Sequence, residues 1–463
     1  MNVLFLVSAN KTKLFLEISK NLVKKNKAFF WISPSRNWFN FLIKNGVKKD
    51  QILCLPDLIN IKNKDELTQI ELTEISTIEE EIGDSFHNIV LMDRILRKKN
   101  NNLSFRIMLQ TYKVITDFLQ KKSIDVSISE QTWNFELLTN FACNALNIKS
   151  FYVDGTKVPD GRFSFFQGSL LNKIYLNITP KEGDYEFARK FIQQYREEPK
   201  PVSYLKSHFA SPTLKISLIS KLVNHIGLFF KDREDLTRRN IYALIEVTLI
   251  KFWNYSVIKF KRNFYIKNIP KDFILITLHK VPDSAVDVAA SKYFNQLEAI
   301  RAFIRIVPTK YHILIKDHSH GLGLTSFRSY NELLKGPNVH FVDPDFDFVK
   351  LMSKALLVYS ISGTSSLEAS IMGKKAIISV ERFWSEILAS EAIDPYTLSS
   401  EHLLWILQKP KVKDSYLIEY IAKIYANSYK GLILDPIKSR DAATCKNIQN
   451  LSKGFENFLN ERV

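Results

Sequence analysis

The chain has 463 residues, of which 46% are hydrophobic and 24% charged, a composition that predicts a folded globular protein with more than one core. Its formal net charge of +17 predicts anionic partners, and it fits nucleic acid, anionic lipid and sugar nucleotides alike. No apolar run approaches the ~20 residues that span a bilayer. Signal-peptide features are missing from the first residues as well, so we expect a cytoplasmic protein. The cysteines are far apart in the sequence, and we expect reduced thiols at Cys54, Cys143 and Cys445.

Strand and helix patterns alternate from the first residues onward. The stretch NVLFLVS predicts a strand, KTKLFLEISKNLVKKNK an amphipathic helix and AFFWIS a second strand. The same alternation continues through SFRIMLQTYKVITDFLQKK, IDVSIS, WNFELLTNFACNALN and IKSFYVD. This order predicts a doubly wound parallel sheet with a Rossmann-like topology.

A basic stretch separates this half from a second α/β half. Residues 201–270 contain 12 Lys or Arg and 4 Asp or Glu among many apolar side chains, which indicates a basic amphipathic connector. Strands are then predicted at FILITLH, YHILIKDH, NVHFVD, ALLVYS and KAIISV. The predicted organisation is a Rossmann-like domain over 1–200, the connector over 201–270, a second Rossmann-like domain over 271–414 and closing helices over 415–463.

Polar side chains follow two of the predicted strands. Asp154 and Gly155 end the strand FYVDG, and a carboxylate at the carboxyl end of an open α/β sheet can take a proton from a hydroxyl group. A turn-forming Asp-Gly pair is the structural alternative. His279 follows FILITL, where it either contacts a substrate or serves as a hydrogen-bonded structural histidine.

Two later strand ends carry residues that suit an anion. The strand HILI leads to Lys316, Asp317 and His318, and a Lys with a His can hold phosphate oxygens without a metal. His318 and His320 lack an accompanying acidic cluster, so no metal ion or other cofactor is predicted.

The strand ALLVY breaks into small hydroxyl residues and then starts a helix. The residues concerned are Ser362, Gly363, Thr364, Ser365 and, in the first helical turn, Glu368. A cup of backbone N–H groups before a helix binds phosphate, whereas an N-capped helix is the structural alternative.

At these residues the sequence resembles a known family. The runs ITLHKVPDSAVD, IKDHSHG, VYSISGTSSLEASIMGKKAII, SEQTWNFELLTNFACNAL and VDGTKVPDGRF resemble bacterial capsule polysaccharide biosynthesis proteins, among them the Kdo transferases of capsule and lipopolysaccharide assembly. The resemblance implies the GT-B glycosyltransferase fold, in which two Rossmann-like doubly wound domains face an interdomain cleft.

The related bacterial sialyltransferases share a three-part signature. Asp154 with Gly155 matches its acidic base motif, and His318 matches the histidine of its His-Pro motif for the cytidine monophosphate. The turn at 362–365 lies where its Ser/Thr pair for the phosphate belongs. Two positions depart from the signature: Val153 replaces the first acid, and Ser319 replaces the proline.

The resemblance implies an inverting, metal-independent glycosyltransferase with a nucleotide-sugar donor, most simply a CMP-ulosonic acid such as Kdo or a sialic acid. Asp154 is the predicted base and Glu130 its substitute, while Lys316, His318 and the turn are predicted to hold the nucleotide phosphate. Glu368 is predicted to bind ribose. The predicted substrate contacts are His279 and Arg162.

Alternatives remain open for the donor, the reaction and the location. The donor could be a UDP-sugar, the reaction could be a teichoic-acid-type polyol-phosphate transfer, and the charge alone would fit a nucleic-acid-binding protein. No nucleic-acid-binding module is recognised, so the predicted partners are a nucleotide sugar and a glycan or glycolipid acceptor. The basic connector predicts that the protein lies peripherally at the inner face of the cytoplasmic membrane. The alternative is that the connector is a solvated basic surface helix.

Overall fold

The computed structural model describes residues 1–23, 27–60, 65–168, 172–199, 227, 232, 234–238, 241–261, 264–318 and 321–461. The strands are β1 Asn2–Leu6, β2 Ala28–Ser33, β3 Ile52–Cys54, β4 Val126–Ser129, β5 Lys149–Gly155, β6 Arg162–Gln167, β7 Lys173–Ile174, β8 Phe273–Thr277, β9 His312–Lys316, β10 Val339–Val342, β11 Leu357–Ser360, β12 Ala376–Ile378 and β13 Tyr429–Lys430. The helices are α1 Thr12–Val23, α2 Arg36–Lys44, α3 Gln69–Ile82, α4 Phe86–Met92, α5 Asn101–Lys121, α6 Asn134–Ala145, α7 Glu182–Glu197, α8 Ile241–Phe260, α9 Ser284–Asp287, α10 Gln296–Ile306, α11 Phe327–Leu333, α12 Phe348–Met352, α13 Ser365–Ile371, α14 Ser400–Gln408, α15 Asp414–Ala426 and α16 Cys445–Glu461.

The first sheet is parallel at its centre and antiparallel at one edge. Its order over the described residues is β13-β6-β5-β4-β1-β2-β3, with β7 paired to β6. Strands β1 to β5 pair in parallel, whereas β6 pairs antiparallel with β5, β7 and β13. The central strands are almost completely buried, as expected for a parallel sheet that is covered by helices on both faces.

The second sheet is wholly parallel and repeats the same winding. Its order over the described residues is β10-β9-β8-β11-β12, so its first strand in the chain again lies between its second and its fourth. The register aligns Thr277 with both Lys316 and Ser360, which places the ends of three strands side by side. The residues that come directly after these three strands therefore lie at the same edge of the sheet.

The end of the chain returns to the first sheet. Strand β13 extends that sheet beside β6, and α16 packs against α1. The ring of Phe458 stacks on Phe165 at 3.6 Å between centroids, and Phe455 contacts Phe5. The aromatic face of α16 thus completes the core of the first unit.

Two sets of ion pairs connect elements that are distant in the sequence. Asp287, which is fully buried in α9 beside the second sheet, pairs with Arg94 and Arg97 of the first unit at 3.1 and 3.3 Å. Arg196 of α7 makes two hydrogen bonds to Asp414 of α15, at 2.7 and 2.9 Å. Neither set was expected from the sequence.

Two α/β units, one with a mainly parallel sheet and one with a wholly parallel sheet, together with a C-terminal segment that returns to the first sheet, form the GT-B arrangement, so the predicted fold class is confirmed. The bounds of the four predicted segments stay a prediction. Most of residues 201–240 lie outside the described part of the chain, and α8 is the described helix of the predicted connector.

Candidate functional site

A cavity of about 830 Å³ receives side chains from the strand ends of both sheets. In each sheet the winding reverses beside the first strand, which is where open α/β sheets bind ligands. The structure brings together nine of the residues predicted from the sequence, namely Asp154, His279, Lys316, His318, Ser362, Gly363, Thr364, Ser365 and Glu368. The other two, Glu130 and Arg162, are not among the residues that line it.

The turn after β11 is held in shape by hydrogen bonds inside the protein. The N–H of Gly363 donates to Ser360 Oγ at 3.0 Å, and the N–H of Ser362 donates to His279 Nε2 at 3.2 Å. The hydroxyl groups of Ser365 and Thr277 are 2.7 Å apart. Since the first two N–H groups already have acceptors, an anion would have to meet the part of the turn that follows Gly363.

His279 contributes to this turn as well as to the cavity. Burial lowers its pKa to about 4, so the imidazole is neutral at physiological pH. Its Nε2 accepts a hydrogen bond from the turn, which places the ring proton on Nδ1. The predicted contact with a substrate stays a prediction, and the hydrogen bond provides a structural role in addition.

The segment after β9 contains one buried cation and one buried acid. Lys316 donates to the carbonyl oxygen of Pro344, and burial lowers its pKa. Burial raises the pKa of Asp317 to about 6; its carboxylate accepts hydrogen bonds from the Tyr330 hydroxyl and from the N–H of His318. These bonds fix the backbone from which His318 reaches the cavity. Ser319 and His320 lie outside the described residues.

Asp154 lies on the opposite wall, at the end of β5. Its carboxylate accepts hydrogen bonds from Tyr152 Oη at 3.0 Å, from the N–H of Gly155 at 2.7 Å and from Lys157 Nζ. Burial alone would raise the pKa of Asp154, but Lys157 and then Lys11 outweigh it, and the net direction is down. The group is therefore an ionised carboxylate at neutral pH.

Glu130 lies behind this wall in a second charged group. It pairs with Lys11 and accepts a hydrogen bond from the Ser8 hydroxyl, at the point where the winding of the first sheet reverses. The neighbouring Glu136 is fully buried, and burial together with the charge of Glu130 raises its pKa to about 8. Glu136 accepts N–H groups at 2.6 and 3.1 Å at the start of α6, so its role there is to cap the helix.

Glu368 and Arg162 have different surroundings. Glu368 lines the cavity, and burial raises its pKa to about 7; the Tyr195 hydroxyl donates to it at 3.4 Å. Arg162 instead donates to Ser428 Oγ at 2.7 Å and lies 4.2 Å from the ring centroid of Tyr425, so it ties β6 to the C-terminal segment. The predicted ribose and substrate contacts of these two residues stay predictions.

Among the lining residues that were not singled out from the sequence are Tyr152, Lys157 and Arg382. Lys157 is three residues after Asp154, a spacing that could have suggested the pair. Arg382 follows β12, the last strand of the second sheet. The reasoning used for the other strands, that polar residues after a parallel strand lie near a ligand, would also have selected it. Its pKa is lowered to about 10 by burial, so it remains a cation at neutral pH.

Within the described ranges, no group of three or more His, Cys, Asp or Glu side chains is placed to hold a metal ion. None of the described helices is both long enough and apolar enough to cross a membrane. The predicted independence from metals stays a prediction.

No protein-family model matches the chain, and neither does any curated protein. Solved structures do match. The UDP-GlcNAc 2-epimerase of Methanocaldococcus jannaschii is 14% identical, with 92% of this chain and 99% of that chain covered and a TM-score of 0.28. KpsC of Thermosulfurimonas dismutans, a beta Kdo 2,7 transferase, is 14% identical over 70% of this chain and 84% of its own, with a TM-score of 0.31. MurG of Acinetobacter baumannii is 11% identical over 91% and 94%, with a TM-score of 0.28.

The matches thus include a Kdo transferase, the class of protein that the sequence resembles. With identities and TM-scores this low, nothing about the fold or the chemistry of this chain is inferred from these structures, and its chemistry follows from the residues that line the cavity.

Proposed function

We propose that the protein is an inverting, metal-independent glycosyltransferase of bacterial surface polysaccharide synthesis that uses a CMP-activated ulosonic acid of the Kdo or sialic acid type. The observation that carries this proposal is the composition of the two cavity walls. The wall from the second sheet presents His318 and the turn at 362–365, and the wall from the first sheet presents an ionised Asp154.

The proposed reaction uses both walls at once. Asp154 accepts the proton of an acceptor hydroxyl while the hydroxyl oxygen attacks the anomeric carbon of the donor. The bond from that carbon to the phosphate oxygen breaks on the opposite side, towards His318 and the turn, and these groups stabilise the phosphate charge of the departing CMP. Because the nucleophile and the leaving group occupy opposite faces of the sugar, the configuration inverts.

CMP is favoured over UDP because the anion site is compact. Two of the N–H groups of the turn have acceptors inside the protein, and Lys316 is committed to a backbone carbonyl group. His318 and the part of the turn that follows Gly363 are proposed to contact a single phosphate group, as in CMP, rather than the two phosphates of a UDP-sugar. Glu368 is proposed to accept hydrogen bonds from the ribose hydroxyls.

Ligand-dependent melting tests the donor. CMP at about a hundred times its dissociation constant should stabilise the protein by roughly 2.7 kcal/mol, which raises the melting midpoint by about 5–11 °C, since each kcal/mol shifts it by about 2–4 °C in a domain of this size. We expect this shift with CMP, a smaller one with UDP and GDP, and its loss in His318→Ala. A shift with UDP and none with millimolar CMP would instead assign a UDP-sugar donor.

We also propose that the protein associates with the anionic inner face of the cytoplasmic membrane through α8. Trp253 is 70% exposed and Phe260 85% exposed on this helix, and Leu249 is exposed on the same side. Lys259 and Lys261 are exposed beside them. Aromatic and basic side chains together favour an interface with anionic lipid. Such a position would bring the cavity to a lipid-linked acceptor.

A further inference from the structure

Arg382 is a buried cation that has no part in the reaction described above. Its side chain lines the cavity although the residue is only 4% exposed. The Nη2 atom donates to the carbonyl oxygen of Ala285 at 3.3 Å, and the Ser362 hydroxyl donates to the same oxygen at 2.6 Å. The guanidinium group therefore lies directly beside the turn to which we assign the phosphate.

The segment that carries Arg382 also contacts the first sheet. The ring of Phe383 is 5.2 Å from that of Phe166, which is the register partner of Tyr152 in the β5–β6 pair. Tyr152 lines the cavity and donates to Asp154. Arg382 is thus positioned between the phosphate turn on one side and the strand of the proposed base on the other.

The transferred sugar must occupy that same position. In the proposed reaction the anomeric carbon lies between the leaving phosphate and Asp154. In a CMP-ulosonic acid this carbon also bears the carboxylate of the sugar, so a negative charge enters the cavity next to the reacting bond. Guanidinium groups recognise carboxylates through paired N–H donors, and such pairs strengthen when they are shielded from water.

We propose that Arg382 binds the carboxylate of the donor sugar and thereby selects acidic over neutral sugars. This inference rests on the proposed function, because it assumes a CMP-linked donor in this cavity. It assigns Arg382 to the sugar rather than to the nucleotide. If Arg382 binds the sugar, its loss weakens binding of the donor but not of CMP, whereas if it binds the nucleotide phosphate, its loss weakens both.

The test compares CMP with CMP-N-acetylneuraminic acid and freshly prepared CMP-Kdo by titration calorimetry. We expect at least one of the two donors to bind the wild-type protein more tightly than CMP. Arg382→Gln should weaken that donor by about 10- to 100-fold, the range for a lost hydrogen bond to a charged group, and leave the affinity for CMP within about twofold. Arg382→Lys should retain part of the difference. Arg305→Gln, which removes an exposed arginine from α10, is the control.

A chemical change in the ligand provides the complementary measurement. Methyl esterification of the sugar carboxylate should weaken binding to the wild type about as much as Arg382→Gln does, and should have little further effect on that variant. If the glutamine variant does not fold, the ester and Arg382→Lys still give the comparison.

The outcomes separate this inference from the function on which it rests. Equal loss of CMP and donor in Arg382→Gln would assign the guanidinium to the phosphate and overturn the inference. If the wild-type protein binds CMP but binds neither CMP-sugar more tightly than CMP, the inference about Arg382 is also overturned. The assignment of CMP as the nucleotide would still stand in that case. Failure of the wild type to bind CMP or either donor would contradict the proposed function itself.

Discussion

The carboxylate of Asp154 combines two properties that a catalytic base needs. It faces the cavity, and three donors hold its orientation. The Asp154 carboxylate is also a weaker base than a free carboxylate, because the ammonium group of Lys157 lowers its pKa. A carboxylate of this kind works when the acceptor hydroxyl loses its proton late, as the new glycosidic bond forms.

We expect Asp154→Asn to reduce transfer by about 10²–10⁴-fold, the usual contribution of a general base. The affinity for CMP should stay near that of the wild type, because the residue lies on the wall opposite the phosphate site. CMP release in the presence of acceptor measures the first quantity, and calorimetry measures the second. Near-normal turnover would make Asp154 a structural turn residue, and Glu130 would become the residue to replace.

The pH dependence of Lys157→Met provides a check on this assignment. Only the ionised form of Asp154 can accept a proton, so the rate falls as the pH falls through its pKa. Loss of the ammonium group removes the largest influence that lowers this pKa. The acid limb of kcat/KM should therefore move to higher pH in the variant. An unmoved limb would mean that another group controls it.

The residues of the site could be predicted from the sequence to the extent that they follow strands. Parallel strands end at a common edge, so the strand pattern alone places Asp154, His318 and the turn at 362–365 near a ligand. Contacts between distant segments could not be predicted. The bond from Ser362 to His279, and the position of Arg382 between the two walls, depend on packing that no local pattern encodes.

At the scale of elements, the turn between β11 and α13 depends on a residue without a side chain. A Cβ atom on Gly363 would overlap Ser360 Oγ and come within 3.3 Å of His279 Cε1. Ser360 Oγ is the acceptor for the N–H of Gly363 itself, so it cannot retreat without loss of that bond. The glycine is required here by space and not by a left-handed backbone.

We expect Gly363→Ala to lower stability by about 1–3 kcal/mol, as overpacked sites do, and to weaken the CMP-dependent rise in melting midpoint. Gly183→Ala is the matched control, because a Cβ there meets nothing within 4 Å and the residue lies in α7. That change should be neutral or stabilising by up to about 1 kcal/mol. Thermal melting with and without CMP measures both. A CMP response in Gly363→Ala equal to that of the wild type would contradict our assignment of the phosphate to this turn.

At the scale of the whole molecule, the two units are tied together close to the cavity. Asp287 follows the segment 279–285, whose residues line part of the cavity, and it pairs with Arg94 and Arg97 from the first unit. The doubly wound pattern of each half was predictable from alternating strands and helices. This buried connection was not, because its acid and its two arginines are separated by 190 or more positions.

The exposed face of α8 leads to a prediction for the molecule as a whole. We expect the wild-type protein to float with anionic liposomes and to float less with neutral ones, since each Lys or Arg near an anionic leaflet contributes about 1 kcal/mol. The double change Trp253→Ser and Phe260→Ser should reduce the floated fraction sharply, because each ring buried in the interface contributes roughly 1.5–3 kcal/mol. Lys259→Glu should weaken binding to anionic liposomes alone.

Trp405→Ser is the control for this experiment, because Trp405 is also an exposed tryptophan but lies on α14, away from α8 in the chain. Its loss should leave flotation unchanged. If the wild type floats with neither lipid, α8 is a solvated surface helix and the membrane proposal is wrong. If the wild type floats and the double variant floats equally well, the protein binds lipid through another surface, and α8 is not the contact that brings the cavity to its acceptor.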